Sequence, residues 1–365
     1  MKKFSLLSLA AFAVIAEAAP LNPAIVHKEV KIVRRPITVS VVGPDLAVPP
    51  ADGKVTVEAM IRHLTGAIEK ELSRCPDLIV LSETCDIWLE MPDEQRHDWI
   101  AMRGDKILNV HREYAKKYRT YIVYPTYREL GNRRYANSAI LIDREGDVVS
   151  IYDKVYTTVG EIEFGVVPGK GPVIAETDFG TLGMVICFDL NFWELLDCYA
   201  ALRPDVITFC SYYHGDFMLQ AWAYKCRAHL IASTVGRLEK DVFTPCGTPQ
   251  RVERNYFRTF SERINTNCAV VHLDFNQAKI QAACDKYGPV LRIDTARGVG
   301  AVTLFCDDPA IPIHEIIREF GIELWDDYYR RSTEAAVRAR AEAASTTCSV
   351  KKHPQQAAAH AKDEK

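Results

Sequence analysis

Four short runs, Leu78–Leu81, Tyr121–Tyr124, Leu182–Ile186 and Val206–Cys210, constrain this chain more than anything else in it. Each is nearly free of polar side chains and bounded by turn-forming residues such as Pro76-Asp77, Gly180 and Pro204-Asp205. They are too short for stable helices. They also lack the alternation of a half-exposed strand, so they read as strands buried on both faces. Ile37–Val42, stopped by Gly43-Pro44, reads as an earlier strand.

Strands of that kind need cover on both sides. After Gly53, Val57, Met60, Ile61, Leu64, Ile68 and Leu72 recur at helical spacing. The pattern predicts one long helix over residues 92–118, opening on Pro92-Asp93-Glu94 and turning Trp99, Ile100, Ile107, Val110 and Tyr114 inward. Asn137–Ile142 and Val148–Ile151 predict a hairpin across Asp143–Gly146. Asp189 and Asn191 are candidate caps for a helix from Phe192 to Leu202, and residues 216–229 predict another. Residues 236–257, with Pro245, Gly247 and Pro249, predict a loop. Cys268–Leu273 and Gly298–Phe305 predict two late strands, with a helical tail from His314. Strands alternating with helices, and hairpins between them, imply an α/β fold with helices outside a stacked pair of sheets.

Apolar residues make up 48% and charged residues 25%, the balance of a globular protein with a core. A net charge of −3 gives no argument for nucleic acid or an anionic membrane surface. No run of ~20 apolar residues interrupts the body of the chain. The N-terminus differs: Lys2-Lys3, an apolar stretch from Phe4 to Ala16, then Ala16-Glu17-Ala18. That predicts a signal peptide over residues 1–18 and a secreted or periplasmic protein, the alternative being a cytoplasmic one. An irregular arm over 19–36 follows, and the composition predicts disorder over 344–365. None of the eleven cysteines forms a C-x-x-C pair or a zinc-type spacing, so no metal site is expected.

Glu83, Lys154 and Cys187 each follow a predicted strand, where ligand sites in α/β sheets gather. A carboxylate, an ammonium and a thiol suit acyl chemistry. Glu83 would be the base, Lys154 the cation beside thiolate and oxyanion, and Cys187 the nucleophile. A helix N-terminus after Cys187 would favour its thiolate. The Phe188 N–H would add to an oxyanion hole, and Glu161 would steer Lys154 or help position a water. Tyr212, Tyr213 and His214, after the next strand, are candidate substrate contacts.

Leu78–Glu83, Asn137–Asp143 with Tyr152-Asp153-Lys154, and Gly183–Asp189 together resemble, in order, the three motifs of the nitrilase superfamily of carbon–nitrogen hydrolases. Pro168-Gly169 and Glu161, seven residues after Lys154, match as well. The resemblance covers residues 37–305. It implies a four-layer α-β-β-α sandwich and a Glu-Lys-Cys triad without metal or organic cofactor. It also implies a homodimer or larger homo-oligomer. The expected domain is 37–310, with a helical extension over 311–343.

Two departures bear on substrate. Many members carry arginine and proline where this chain has Asn191 and Trp193. Nitrile-cleaving members usually show Trp-Glu after the cysteine, where this chain has Phe188-Asp189. An amide or N-carbamoyl hydrolase acting on a small molecule is therefore expected. The alternatives are an acyltransferase, nitrile hydrolysis or a non-catalytic binding protein on the same fold.

Overall fold

The computed structural model describes residues 23–49, 54–254, 256–295 and 300–350 of the 365-residue chain. The expected signal peptide lies outside them, as do residues 351–365 of the expected tail. Residues 23–35 carry neither helix nor strand, yet they are tied down. Lys28 Nζ lies 2.6 Å from both Asp143 and Asp147, Arg34 pairs with Asp205, and Arg35 pairs with Asp77 and Asp178.

β1 (Pro36–Val42), α1 (Val57–Glu69) and β2 (Leu78–Leu81) open the regular structure. The Thr56 hydroxyl caps α1 by accepting from the Ala59 N–H at 3.1 Å, and Val57, Met60, Leu64 and Ile68 face inward. The single helix expected over 92–118 is two, α2 (Asp93–Arg103) and α3 (Lys106–Tyr118). Gly104 ends α2 at φ 46° and ψ −131°, a conformation that favours glycine. The break rotates the inner face of α3 onto Ile107, Leu108, His111 and Ala115, leaving Val110 and Tyr114 half-buried.

β3 (Tyr121–Gly131) runs past Tyr124 into a hairpin with β4 (Arg134–Ile142), which pairs with β5 (Val148–Asp153). A short helix, α4 (Val159–Phe164), follows, then the hairpin of β6 (Ile174–Thr177) and β7 (Gly180–Ile186). Next come α5 (Trp193–Leu202), β8 (Val206–Ser211), α6 (Phe217–Cys226) and β9 (His229–Thr234). The segment 236–257 is not simply a loop: it holds β10 (Lys240–Phe243) and β11 (Pro249–Glu253). β10 hides its strand character because the fully buried residue that opens it is charged. Lys240 Nζ donates to the carbonyls of Gly236 at 2.6 Å and Leu238 at 3.0 Å, and burial lowers its pKa to about 8. β12 (Thr259–Asn265) returns antiparallel to β1.

Two six-stranded sheets result, ordered β12-β1-β2-β3-β4-β5 and β11-β10-β9-β8-β7-β6. In each, the middle three strands are parallel. Val39, Val41, Leu78 and Val80 of one sheet share a core with Met184, Ile186, Ile207 and Phe209 of the other. The alternate residues Ile79, Leu81, Ile122 and Tyr124 pack with α1, α2 and α3. Tyr199 of α5 lies against Gly183, and Trp222 of α6 joins the same core. The layers are helix, sheet, sheet, helix, the α-β-β-α sandwich expected.

The two late strands join neither sheet. β13 (Cys268–His272), α7 (Gln277–Tyr287), β14 (Leu291–Thr295), β15 (Ala301–Cys306) and α8 (Ile313–Phe320) build a separate antiparallel sheet, ordered β13-β15-β14, with its own core. Buried Asn267, between β12 and β13, links it to the sandwich. Its amide donates to the carbonyls of Cys306 and Ile311, and its oxygen accepts from the Ile313 N–H. α9 (Trp325–Val350) stays helical past Ala344, where disorder was expected; its alanines favour helix. Among the described residues no helix is long and apolar enough to cross a membrane. The ten cysteines with described side chains form no disulfide.

The sheets meet tightly at Gly43, just past β1. A Cβ there would lie 1.9 Å from the Thr234 carbonyl oxygen and 2.4 Å from Lys240 Cε. Gly43→Ala is expected to lower unfolding stability by about 3 kcal/mol, through forced separation of β1 and β9. Urea denaturation measures it, and an unchanged midpoint would contradict this packing.

Candidate active site

Glu83 leaves β2 on a short turn in which Thr84 takes φ 39°. The turn is held from beneath by Asp86, which is fully buried. Its carboxylate accepts from Tyr124 Oη at 2.7 Å and Thr126 Oγ1 at 2.9 Å and pairs with Arg103 Nε at 2.8 Å. Its carbonyl accepts from Trp99 Nε1 at 2.8 Å. Two residues of α2 and two of β3 thus fix where Glu83 points. Glu83 itself is buried, and its Oε2 accepts from the Tyr212 N–H at 3.2 Å.

Lys154 follows β5 and is buried too. Its Nζ donates to Glu83 Oε1 at 3.0 Å and to both oxygens of Glu161, at 2.9 and 3.1 Å. Glu161 is placed by a capping box at the start of α4. Its Oε2 accepts from the Thr158 N–H at 2.8 Å, while its own N–H donates to Thr158 Oγ1. Asn137 on β4 ties the two carboxylates together, its Nδ2 donating to Glu83 Oε1 at 2.8 Å and Glu161 Oε1 at 2.7 Å. Burial pulls the Lys154 pKa down, but the charges of Glu83 and Glu161 and the nearby Cys187 sulfur outweigh it, so the ammonium is held well above its usual range. Burial raises the Glu161 pKa, and Lys154 more than reverses that.

Cys187 follows β7 and opens a 3₁₀ turn, Cys187–Asn191, in left-handed backbone at φ 48°. That is uncommon outside glycine and marks the turn at Cys187 as strained. Asp189 holds the turn: its carboxylate accepts from the N–H of Ile186 at 3.1 Å, the N–H of Tyr156 at 2.7 Å and Tyr152 Oη at 2.7 Å. Burial raises its pKa to about 7 against those three bonds. Neither Asp189 nor Asn191 caps α5, as the sequence suggested; α5 starts at Trp193 with no side-chain cap. Asn191 Nδ2 instead donates to the Phe188 carbonyl and to Tyr213 Oη.

The expected helix-stabilised thiolate is also overturned. Burial, then the Glu83 charge, push the Cys187 thiol up to about 12, against Lys154, the Ser211 hydroxyl and the Tyr212 amide. The resting sulfur is a thiol within electrostatic reach of Glu83 and Lys154. Phe188 is exposed, its ring edge-on to Phe192 at 5.4 Å. Tyr156 stacks on Phe192 at 3.6 Å.

Glu83, Lys154 and Cys187, from the ends of three strands, thus come together with Glu161 of α4. Tyr213 Oη donates to the Cys187 carbonyl at 3.3 Å, and Tyr212 Oη accepts from Thr84 Oγ1 at 3.1 Å. His214 turns to β10, its Nε2 2.7 Å from Asp241 Oδ2. Asn137, Ser211 and Asp86 were not singled out from sequence. Only Asn137 stood in a recognised motif, and nothing in its neighbours showed that it bridges two carboxylates. Among the described residues no cluster of histidine, cysteine and carboxylate is placed to hold a metal ion.

The same arrangement of strands and helices occurs in solved structures. An amidase from Nesterenkonia sp. superposes with a TM-score of 0.54 at 17% identity, over 65% of this chain and 92% of that one. A carbon–nitrogen hydrolase from Helicobacter pylori G27 gives 0.57 at 15% identity, over 64% and 90%. At such identities the likeness concerns the fold. A mutant of the Nesterenkonia amidase carries the acetamide moiety of fluoroacetamide, added covalently at its active-site cysteine. In sequence, a human deaminated glutathione amidase is 23% identical over 182 residues, which is 43% of this chain and 54% of that protein. Hydrolase C26A3.11 of Schizosaccharomyces pombe is 25% identical over 149 residues, 38% and 43%. The match to these relatives spans about half their length. The family model for carbon–nitrogen hydrolases matches residues 38–257, the stretch from β1 to just before β12 that carries Glu83, Lys154 and Cys187. By that match, over most of the sandwich and all three strand-end residues, the chain belongs to the carbon–nitrogen hydrolase family.

Proposed function

We propose that the protein hydrolyses a non-peptide carbon–nitrogen bond, in an amide or N-carbamoyl compound, through a thioester on Cys187. The observation that carries this reading is the buried Lys154 ammonium, shared by Glu83 and Glu161 and coupled by charge to the Cys187 sulfur. Because the thiol is neutral at rest, its proton passes to Glu83 as the sulfur attacks the carbonyl carbon. The oxyanion gains the Lys154 charge. It also gains the Phe188 N–H, one of the first donors of the 3₁₀ turn and so unused within it. Collapse breaks the C–N bond, and Glu83 returns the proton to the departing nitrogen. A water then gives its proton to Glu83 and adds to the thioester. The second collapse releases the acid and restores the thiol. Asn137 and Glu161 are positioning residues here, and Tyr212 and Tyr213 line the approach.

The cysteine adduct of the Nesterenkonia amidase supports the covalent route, and Phe188-Asp189 supports amides over nitriles. The test is ammonia release from a panel of amides, N-carbamoyl amino acids and nitriles, with Glu83→Gln beside the native chain. Glu83→Gln is expected to lower kcat about a thousandfold. Its thiol is expected to react with iodoacetamide at lower pH than the native one, because a charge that raises the Cys187 pKa is gone. Native-like turnover in Glu83→Gln would refute the reading. Export after loss of residues 1–18 and assembly into a homodimer or larger oligomer belong to the same proposal. N-terminal sequencing of the native protein and sedimentation of the purified chain test them.

A further inference from the structure

We infer a second ligand site, in the cleft between the sandwich and the third sheet, for a small molecule with a carboxylate at one end and an ammonium at the other. The cleft encloses about 390 Å³ and is lined by Thr244, Arg263, Asn265, Arg292, Asp294 and Asp307, among others. Half of these are already engaged. Arg292 is paired bidentately with Asp307, at 2.6 and 3.0 Å. Asn265 Nδ2 donates to the Cys306 carbonyl and to Asp307 Oδ1, both at 2.9 Å.

The other three are not. The Arg263 guanidinium, exposed at the cleft wall, forms no ion pair among the described residues. Asp294 Oδ2 is buried without a hydrogen-bond partner among them, and so is Thr244 Oγ1, on a residue only 5% exposed. Buried polar atoms in native proteins are nearly always paired, so two unpaired ones in one cleft mark a place for a polar guest. Arg263 reaches Asp307, and Asp294 reaches Arg292, only through space, so among the described residues one cation and one anion lack a close ion partner and define the guest's charges. Arg263 offers a planar fork to a carboxylate, while Asp294 and Thr244 offer acceptors to an ammonium. The volume lies near the small end of small-molecule sites, which suits an amino acid.

The cleft is not the catalytic site. Asn265 pairs with Pro36 at the start of β1, whereas Glu83 follows β2 at the opposite end of the parallel strands. Arg263, Arg292 and Asp294 also lie beyond residues 38–257. The inference therefore stands apart from the proposed chemistry.

Calorimetric titration of the whole protein with glycine, β-alanine and γ-aminobutyrate, which space the two charges differently, tests it. Acetate and ethylamine serve as single-charge controls. At least one of the three is expected to bind saturably with a Kd below about 1 mM. That affinity is expected to fall at least about tenfold in Arg263→Gln and in Asp294→Asn and to be unchanged in Cys187→Ala. Absence of saturable binding up to about 10 mM would overturn the inference. So would binding that survives both substitutions, or acetate or ethylamine binding as tightly. Should Asp294→Asn fail to fold by circular dichroism, the exposed Arg263→Gln decides alone.

Discussion

Cys187→Ala is expected to abolish turnover, with kcat/KM falling on the order of 10⁵-fold. The proposed reaction passes through a bond to this sulfur, and alanine offers no nucleophile. The rest of the site does not depend on the thiol. Lys154 remains bound by Glu83 and Glu161, and Asp189 still accepts from Ile186, Tyr156 and Tyr152. The variant should therefore melt near the native temperature, since alanine meets the same φ of 48° that cysteine already tolerates. Single-turnover ammonia release and a thermal melt, on one preparation, measure both halves. Ammonia release within about tenfold of native would show that the chemistry runs elsewhere.

Lys154→Met should damage both rate and fold. Without the ammonium, buried Glu83 and part-buried Glu161 are two carboxylates joined by Asn137 and facing each other uncompensated. Removing one partner of a buried ion pair costs about 3–5 kcal/mol, and loss of the oxyanion's cation costs activity besides. The sign with pH follows from Glu161, whose pKa Lys154 holds below its usual value. That stabilisation is present above the unfolded carboxylate pKa and is lost as pH falls through the lower folded one. In the variant one carboxylate takes up a proton far more readily. The stability gap between native and Lys154→Met should thus be widest near neutral pH and narrow in acid. Urea midpoints at several pH values report this, and a gap that widened in acid would contradict it.

Much of this architecture is written in residue pattern. Runs such as Leu78–Leu81 and Leu182–Ile186 announce buried strands because they sit between two packed layers, and the residues that follow them reach the candidate site. Other elements leave no such trace. The break at Gly104 falls inside a continuous amphipathic pattern, and only its backbone angles reveal two helices. β10 opens on Lys240, a buried lysine whose partners are carbonyls several residues away in a turn. β12 carries Ser261, Glu262 and Arg263 because it is an edge strand, so its sequence looks like surface loop. The protonation of Cys187 escapes the pattern for a related reason. The helical turn after it was legible, but the Glu83 charge and the depth of burial that override the turn are set by residues a hundred positions away.

The doubly held lysine has a further effect. In the proposed attack a proton passes between two groups of the site, so the summed charge does not change. As the sulfur's proton would pass to Glu83 in that proposed step, no net charge is added. The surrounding apolar layers never have to solvate a new charge, only a displaced one, while Glu161 keeps the ammonium compensated throughout. Such a site can run inside a dry sandwich, where a lone thiolate could not form.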